Sequence, residues 1–147
     1  MNGGAWNEWL GTGRLAVARP EIALRAEGPE AAVERAHEAI ERARPGGRLK
    51  YETMARTILG TALVALGRGE EGLAELRAAV EGADRLGTPS GRWEALAALA
   101  QALYATGDDD AAASASLRSA EVIRAFAESL TRSTRTLCWP HLMSARS

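Results

Sequence analysis

Apolar residues recur at steps of three and four along nearly the whole chain, the spacing of one helical face. Trp6, Trp9, Leu10, Gly13, Val17, Pro20 and Leu24 form a first stripe. Ala32, Val33, Ala36, Ala39, Ile40 and Ala43 form a second, and Ala55, Ile58, Leu59, Ala62, Leu63 and Leu66 a third. Leu73, Leu76, Val80, Ala83 and Leu86 make the fourth. Trp93, Leu96, Ala100, Leu103 and Tyr104 make the fifth, and Ala112, Ser116, Ala120, Ile123, Ala127 and Leu130 the sixth and weakest. No window alternates with period two over strand length, so the pattern predicts an all-α protein.

The breaks between stripes carry helix punctuation. Gly28-Pro29 places proline at a first helical position, where its missing N–H costs nothing. Pro45-Gly46-Gly47 stops the second helix. Leu86-Gly87-Thr88-Pro89 ends one helix on glycine and opens the next with a threonine N-cap. Gly107 closes the fifth helix, and Asp108 to Asp110 lie where free N–H groups and the helix dipole favour carboxylates. Pro20, inside a stripe, predicts a bend or a break.

Gly67 follows Gly28 by 39 residues, and Gly107 follows Gly67 by 40. At each a helix ends, a tight turn follows and a second helix runs back. A helix pair of this kind buries its apolar face only by stacking on neighbours, and three pairs are about the minimum that stands alone. One domain over residues 1–147 is expected, with units of roughly 5–45, 48–87 and 89–130 and a C-terminal helix or tail at 131–147.

In "ILGTALVALGRGEEGLAELRAAVEGAD", Leu59-Gly60 followed by Leu63, Gly67, Gly72, Leu76 and Ala79 resembles the tetratricopeptide repeat. Leu99-Ala100, Leu103, Tyr104, Gly107 and Ala112 resemble it in the third unit. The first unit matches loosely, with Glu21 at the small-residue position and Pro20 beside it. The likeness covers about residues 13–130, and its spacing of 39–40 exceeds the 34 usual in that family. Arg48-Leu49-Lys50-Tyr51-Glu52 and the connector "ADRLGTPSGRWEALAALAQAL" resemble more narrowly the MalT-like repeats of bacterial ATPase-type regulators and some nucleotide cyclases. The resemblance implies a right-handed α-α solenoid that acts as a non-catalytic interaction or scaffold module. The alternative it implies is a small-ligand sensor.

Composition narrows this further. Ala, Leu, Glu and Arg abound, all strong helix formers. A formal net charge of −1 gives no global field toward nucleic acid or an anionic membrane. Cys138, the one cysteine, cannot form an internal disulfide. No basic leader opens the chain, and no apolar run approaches a membrane span. A cytoplasmic location is the expectation.

Candidate chemistry is sparse. Cys138 and His141 would need hydrogen-bond contact and an orienting third group to act as a nucleophile and base. The simpler reading is a tail that tucks Leu137, Trp139 and Leu142 onto the last helices. His37 borders a buried stripe, and two histidines with one distant cysteine do not suit zinc. The Asp108–Asp110 run lacks the alternate spacing and distal glutamate of a calcium loop. "GTGR" and "GRGEEG" fit neither phosphate-loop nor dinucleotide patterns. No catalytic, cofactor-binding or metal-binding residues are therefore expected. Glu38–Arg42 and Glu81–Arg85 are i,i+4 pairs of a solvated face.

In the resembled family the first helix of each pair lines the concave side. Carried onto this chain, that implies a groove of Leu15, Ala18, Ile22 and Arg25 from unit one and Met54, Thr57, Thr61 and Val64 from unit two. Unit three adds Glu94, Ala97, Gln101 and Tyr104. Mostly apolar, such a groove suits a helical or extended apolar segment of a protein partner. Trp6, Trp9 and Leu10 at one end, and Ile123, Phe126 and Leu130 at the other, leave apolar surface that predicts a homodimer.

Overall fold

The computed structural model describes residue 18, the backbone of residues 20–143 and side chains as far as residue 134. Six helices and no strand occur among the described residues. We number them α1 (20–26), α2 (Pro29–Ala43), α3 (Leu49–Ala65), α4 (Gly69–Leu86), α5 (Pro89–Ala105) and α6 (Asp109–Met143).

From α2 onward, a helix begins every twenty residues: Pro29, Leu49, Gly69, Pro89 and Asp109. The local cause is glycine. Gly47, Gly67, Gly87 and Gly107 all have positive φ, between 60° and 88°. A left-handed residue lets the chain leave one helix and cap the next without strain. The first turn differs by one position, because Gly28, φ 103°, is itself the N-cap of α2.

That offset corrects the alignment of the first unit. Ala100 lies 40 residues after Gly60, and counting back another 40 from Gly60 puts the small-residue position on Pro20, not Glu21. Pro20 is fully buried and Glu21 exposed. Matching Gly28 to Gly67 had shifted the frame by one.

From α2 onward each helix packs on the next, and α3 also packs on α5, two helices on. The closest approach is in the α3–α4 pair. A Cβ placed on Gly60 would lie 2.7 Å from the Gly72 carbonyl oxygen, and one on Gly72 equally near that of Gly60. At the corresponding crossing of α5 and α6 stand Ala100 and Ala112, both buried. The core runs through Ala32, Ala36, Ala39 and Ile40 of α2, Leu59 and Leu63 of α3, Leu73, Leu76 and Val80 of α4, and Leu96, Leu99 and Leu103 of α5.

Polar ties join the same helices. Arg56 of α3 donates to Glu52, one turn back, and at 2.6 Å to Glu75 of α4. Burial works against its charge, but the hydrogen bonds to Glu52 and Glu75 outweigh it and raise the Arg56 pKa. Asp84 of α4 meets Arg92 of α5 at 2.9 Å and Arg118 of α6 at 3.8 Å. The Ser119 hydroxyl donates to the Trp93 carbonyl. Among surface pairs Glu38–Arg42 forms at 4.0 Å. Glu81 and Arg85 do not pair among the described residues; both are exposed, where such a contact gains little over hydration.

The sixth stripe faces away from the core, and Ile123 and Leu130 leave the apolar surface expected at this end, whereas Phe126 is half-buried. Ala112 is buried, but Ser116, Ala120, Ile123, Ala127 and Leu130 are all exposed. The face that α6 turns inward is Ala112, Ala115 and Ser119, continued by half-buried Val122 and Phe126, with Phe126 5.7 Å from Trp93. Twenty residues after Gly107 stands Ala127, and without a glycine there α6 runs on to Met143. The 131–143 stretch is thus helical backbone continuous with α6. The side chains of Leu137, Cys138, Trp139, His141 and Leu142 lie outside the described residues, as do Trp6, Trp9, Leu10, Gly13 and Val17.

Candidate functional site

Helices α1, α3 and α5 border one hollow, and α3 packs directly on α5. A helix held between neighbours is covered on several sides, which leaves α3 and α5 a narrow outward strip. In α3 that strip is half-buried: Met54, Thr57, Thr61 and Val64. In α5 it is Glu94, half-buried Ala97, Gln101 and Tyr104, the last 72% exposed. Although Tyr104 also fell in the fifth apolar stripe, its exposure places it on the surface and not in the core. At α1 the strip holds exposed Arg25 and Ile22, which is 59% exposed, with half-buried Ala18 preceding the helix. Leu15 lies outside the described residues.

Three depressions follow these strips. The first, about 260 Å³, is formed where α1, α3 and α5 meet, and brings together Arg25, Met54, Thr57 and Glu94. The second, about 200 Å³, lies between α3 and α5 and contains Thr61, Val64 and Gln101. A third and wider one, about 780 Å³, opens between α5 and α6 and takes in Ala97, Gln101 and Tyr104. Nine of the eleven expected groove residues that are described therefore line one of these hollows. Ala18 and Ile22 line none.

Sequence reasoning missed several neighbours. Glu21, Leu24, Thr53, Ile58 and Gly91 complete the first hollow, and Ala65, Ala98 and Ala102 the second. Glu21 stands four residues before Arg25 and pairs with it at 3.4 Å. That spacing was the available signal. The missed residues make the first hollow more polar than expected, since Glu21 and Glu94 outnumber Arg25.

The threonines are less polar than they look. The Thr57 hydroxyl donates to the Thr53 carbonyl at 3.0 Å, and Thr61 to that of Thr57 at 2.9 Å. Each proton is engaged by the turn below, as threonine commonly does in a helix. Thr53, 4% exposed, has no hydrogen-bond partner for its hydroxyl among the described residues. It faces Gly82 of α4, where a Cβ would lie 2.5 Å from the Thr53 oxygen. Gly82 thus makes the room that Thr53 fills.

Asp108 has the capping role that its position predicted, its carboxylate accepting from the Ala111 N–H at 3.1 Å. His37 is exposed. Among the described residues no group of three or more His, Cys, Asp or Glu side chains is placed to hold a metal ion. No helix of the described residues is long and apolar enough to cross a membrane. Comparison with family models, curated proteins and solved structures returns no match.

Proposed function

We propose that the chain is a non-catalytic protein-interaction module, built as a right-handed solenoid of three tetratricopeptide-like helix pairs. On this reading it binds a helical or extended apolar segment along the face of α1, α3 and α5. The observation that carries it is the line of hollows that crosses three helices on one face, floored by half-buried Met54, Thr57, Thr61, Val64 and Ala97. Partly covered apolar atoms of this kind gain most from a ligand that completes their burial. The twenty-residue rhythm, the close Gly60–Gly72 crossing and the α3–α5 contact support the repeat architecture.

A peptide-display selection tests the reading. Selected peptides should carry apolar anchors at helical or alternate spacing, and a Thr57→Arg, Thr61→Arg double variant should lose them. Selected peptides that bind the double variant as well as the parent would remove the groove from the account.

One observation favours the second reading, a small-ligand sensor. The hollow at α1, α3 and α5 joins Arg25, Glu21 and Glu94 to Met54 and Ile58, a mixture suited to a compact polar molecule. A thermal-shift screen separates the two. A metabolite that stabilises the parent and not a Glu94→Ala variant would favour the sensor.

A further inference from the structure

We propose that two copies of the chain pair antiparallel along α6, each laying the overhanging half of its helix into the hollow between α5 and α6 of the other. The outward face of α6 carries Ala113, Ser116, Ala120, Ile123, Ala127, Leu130 and Thr134. The steps are three and four in strict alternation, the spacing of a two-helix seam. All seven are exposed, and Ile123 and Leu130 remain 47% and 53% open.

The repeat itself shows what belongs on this surface. Forty residues earlier, Leu73, Leu76 and Val80 of α4 stand at the positions of Ala113, Ser116 and Ala120, and they are buried beneath α5. The hollow of about 780 Å³ between α5 and α6 is the same groove with no helix in it. Its occupant should run antiparallel to α6, as α5 does to α4. Among the described residues the chain does not turn back to fill it: Ala127 stands where the turns at residues 47, 67, 87 and 107 have a positive-φ glycine, and α6 runs on as helix to Met143. A straight overhang reaches the groove of another molecule. This is the logic of segment exchange when a hinge is lost.

The seam is complementary to itself. With the two-fold axis near residue 125, Ile123 of each copy faces Ala127 of the other. Leu130 faces Ala120, and Thr134 faces Ser116. Large meets small and hydroxyl meets hydroxyl at every step. At the margin Arg124 of each helix comes opposite Glu128 of the other, and both are exposed in the single chain. A seam about 30 Å long with the α5 wall of Ala97, Gln101 and Tyr104 buries on the order of 1,000 Å² in total, near the lower edge for a specific interface. An interface of this size suits concentration-dependent association. The pairing fills the third hollow and so shares Ala97, Gln101 and Tyr104 with the proposed peptide groove, while the hollows at Met54–Glu94 and Thr61–Val64 stay open.

Sedimentation of the full chain across a concentration series tests this. A monomer at low and a dimer at high micromolar concentration is expected. Ile123→Glu with Leu130→Glu should weaken association about a hundredfold with helicity by circular dichroism unchanged. Glu128→Arg should weaken it, and the exchange Arg124→Glu with Glu128→Arg should restore it, because each new pair again has opposite charge. Thr57→Arg should leave the mass unaltered. A parent chain that stays monomeric at high micromolar concentration would overturn the proposal. So would a dimer indifferent to the Ile123 and Leu130 changes, or one that the charge exchange fails to restore. A monomer whose melting temperature falls with Leu130→Glu would assign the stripe to the chain's own fold, and equally overturn it.

Discussion

Helices α4 and α6 are second helices of adjacent pairs, in register at a distance of 40 residues, and the fold treats them differently. Helix α4 lies between α3 and α5 and buries Leu73, Leu76, Ala79, Val80 and Ala83. Among the described residues helix α6 packs on α5, touches α4 only through the exposed Arg118–Asp84 pair, and buries Ala112, Ala115 and Ser119. At matching positions the apolar side chains shrink: Leu73 becomes Ala113, Leu76 becomes Ser116 and Val80 becomes Ala120. A helix with one neighbour needs one apolar face, and the second face of α6 has been trimmed without being made fully polar. The difference shows that a residue's role in a repeat is set by how many neighbours its helix has.

The largest test of this contrast is Leu76→Ala against Ser116→Ala. Leu76 is fully buried, and its truncation should cost about 3–5 kcal/mol in chemical unfolding. Ser116→Ala, at the equivalent but exposed site, should stay within about 0.5 kcal/mol. Equal effects would erase the distinction between the helices. Next comes the crossing. Gly60→Ala should cost about 1–3 kcal/mol, since its Cβ lies 2.7 Å from the Gly72 carbonyl oxygen and 2.5 Å from Leu76, a clash beyond what helix propensity returns. The reverse change at the matching site, Ala100→Gly, should cost about 1 kcal/mol from backbone freedom and lost methyl packing. A Gly60→Ala variant that melts higher than the parent would show that the two helices can separate freely.

Smaller effects follow for the polar ties. Arg56→Met removes a bridge between α3 and α4 whose side chains are 19–28% exposed, and should cost about 1–2 kcal/mol as Glu75 loses its partner. The smallest expected effect is at Arg68–Glu71, a pair in which the guanidinium holds the Glu71 carboxyl below its usual range. A carboxylate with a lowered folded-state pKa adds stability above the unfolded pKa, which disappears as pH falls through the folded value. Both groups are fully exposed, so Arg68→Gln should not move the melting midpoint at neutral pH or at pH 4 measurably. A clear shift at neutral pH alone would show the pair to be more shielded than its exposure indicates.

Helical periodicity was legible for the second to fifth stripes, because α2 to α5 are packed tightly enough that their apolar residues have nowhere else to go. The buried sets of α2 and α4 match the sequence stripes nearly residue for residue. In α6 two faces satisfy the same rule, and spacing alone does not say which is buried. Ala112, Ala115 and Ser119 look weaker in hydropathy than Ala120, Ile123 and Leu130, yet the weaker set faces the core. Nearness to Trp93 and α5, not hydropathy, decides which face turns inward. Nine of the described groove residues line the hollows, because a three- or four-residue step marks the strip between two buried faces. Glu21, Thr53 and Gly91 escaped because they belong to the hollow through neighbouring helices, a relation that no spacing within one helix encodes.

The sequence by itself determined that the chain is helical, and where its helices begin. The positive-φ glycines at twenty-residue intervals and the Asp108 cap of α6 are local chemistry, readable without a partner. Which side of each helix meets which neighbour was decided only in three dimensions. Two faces of α6 satisfy the helical period, and local propensity is indifferent between them. The choice depends on contacts between residues far apart in the chain, and those exist only once α5 is in place.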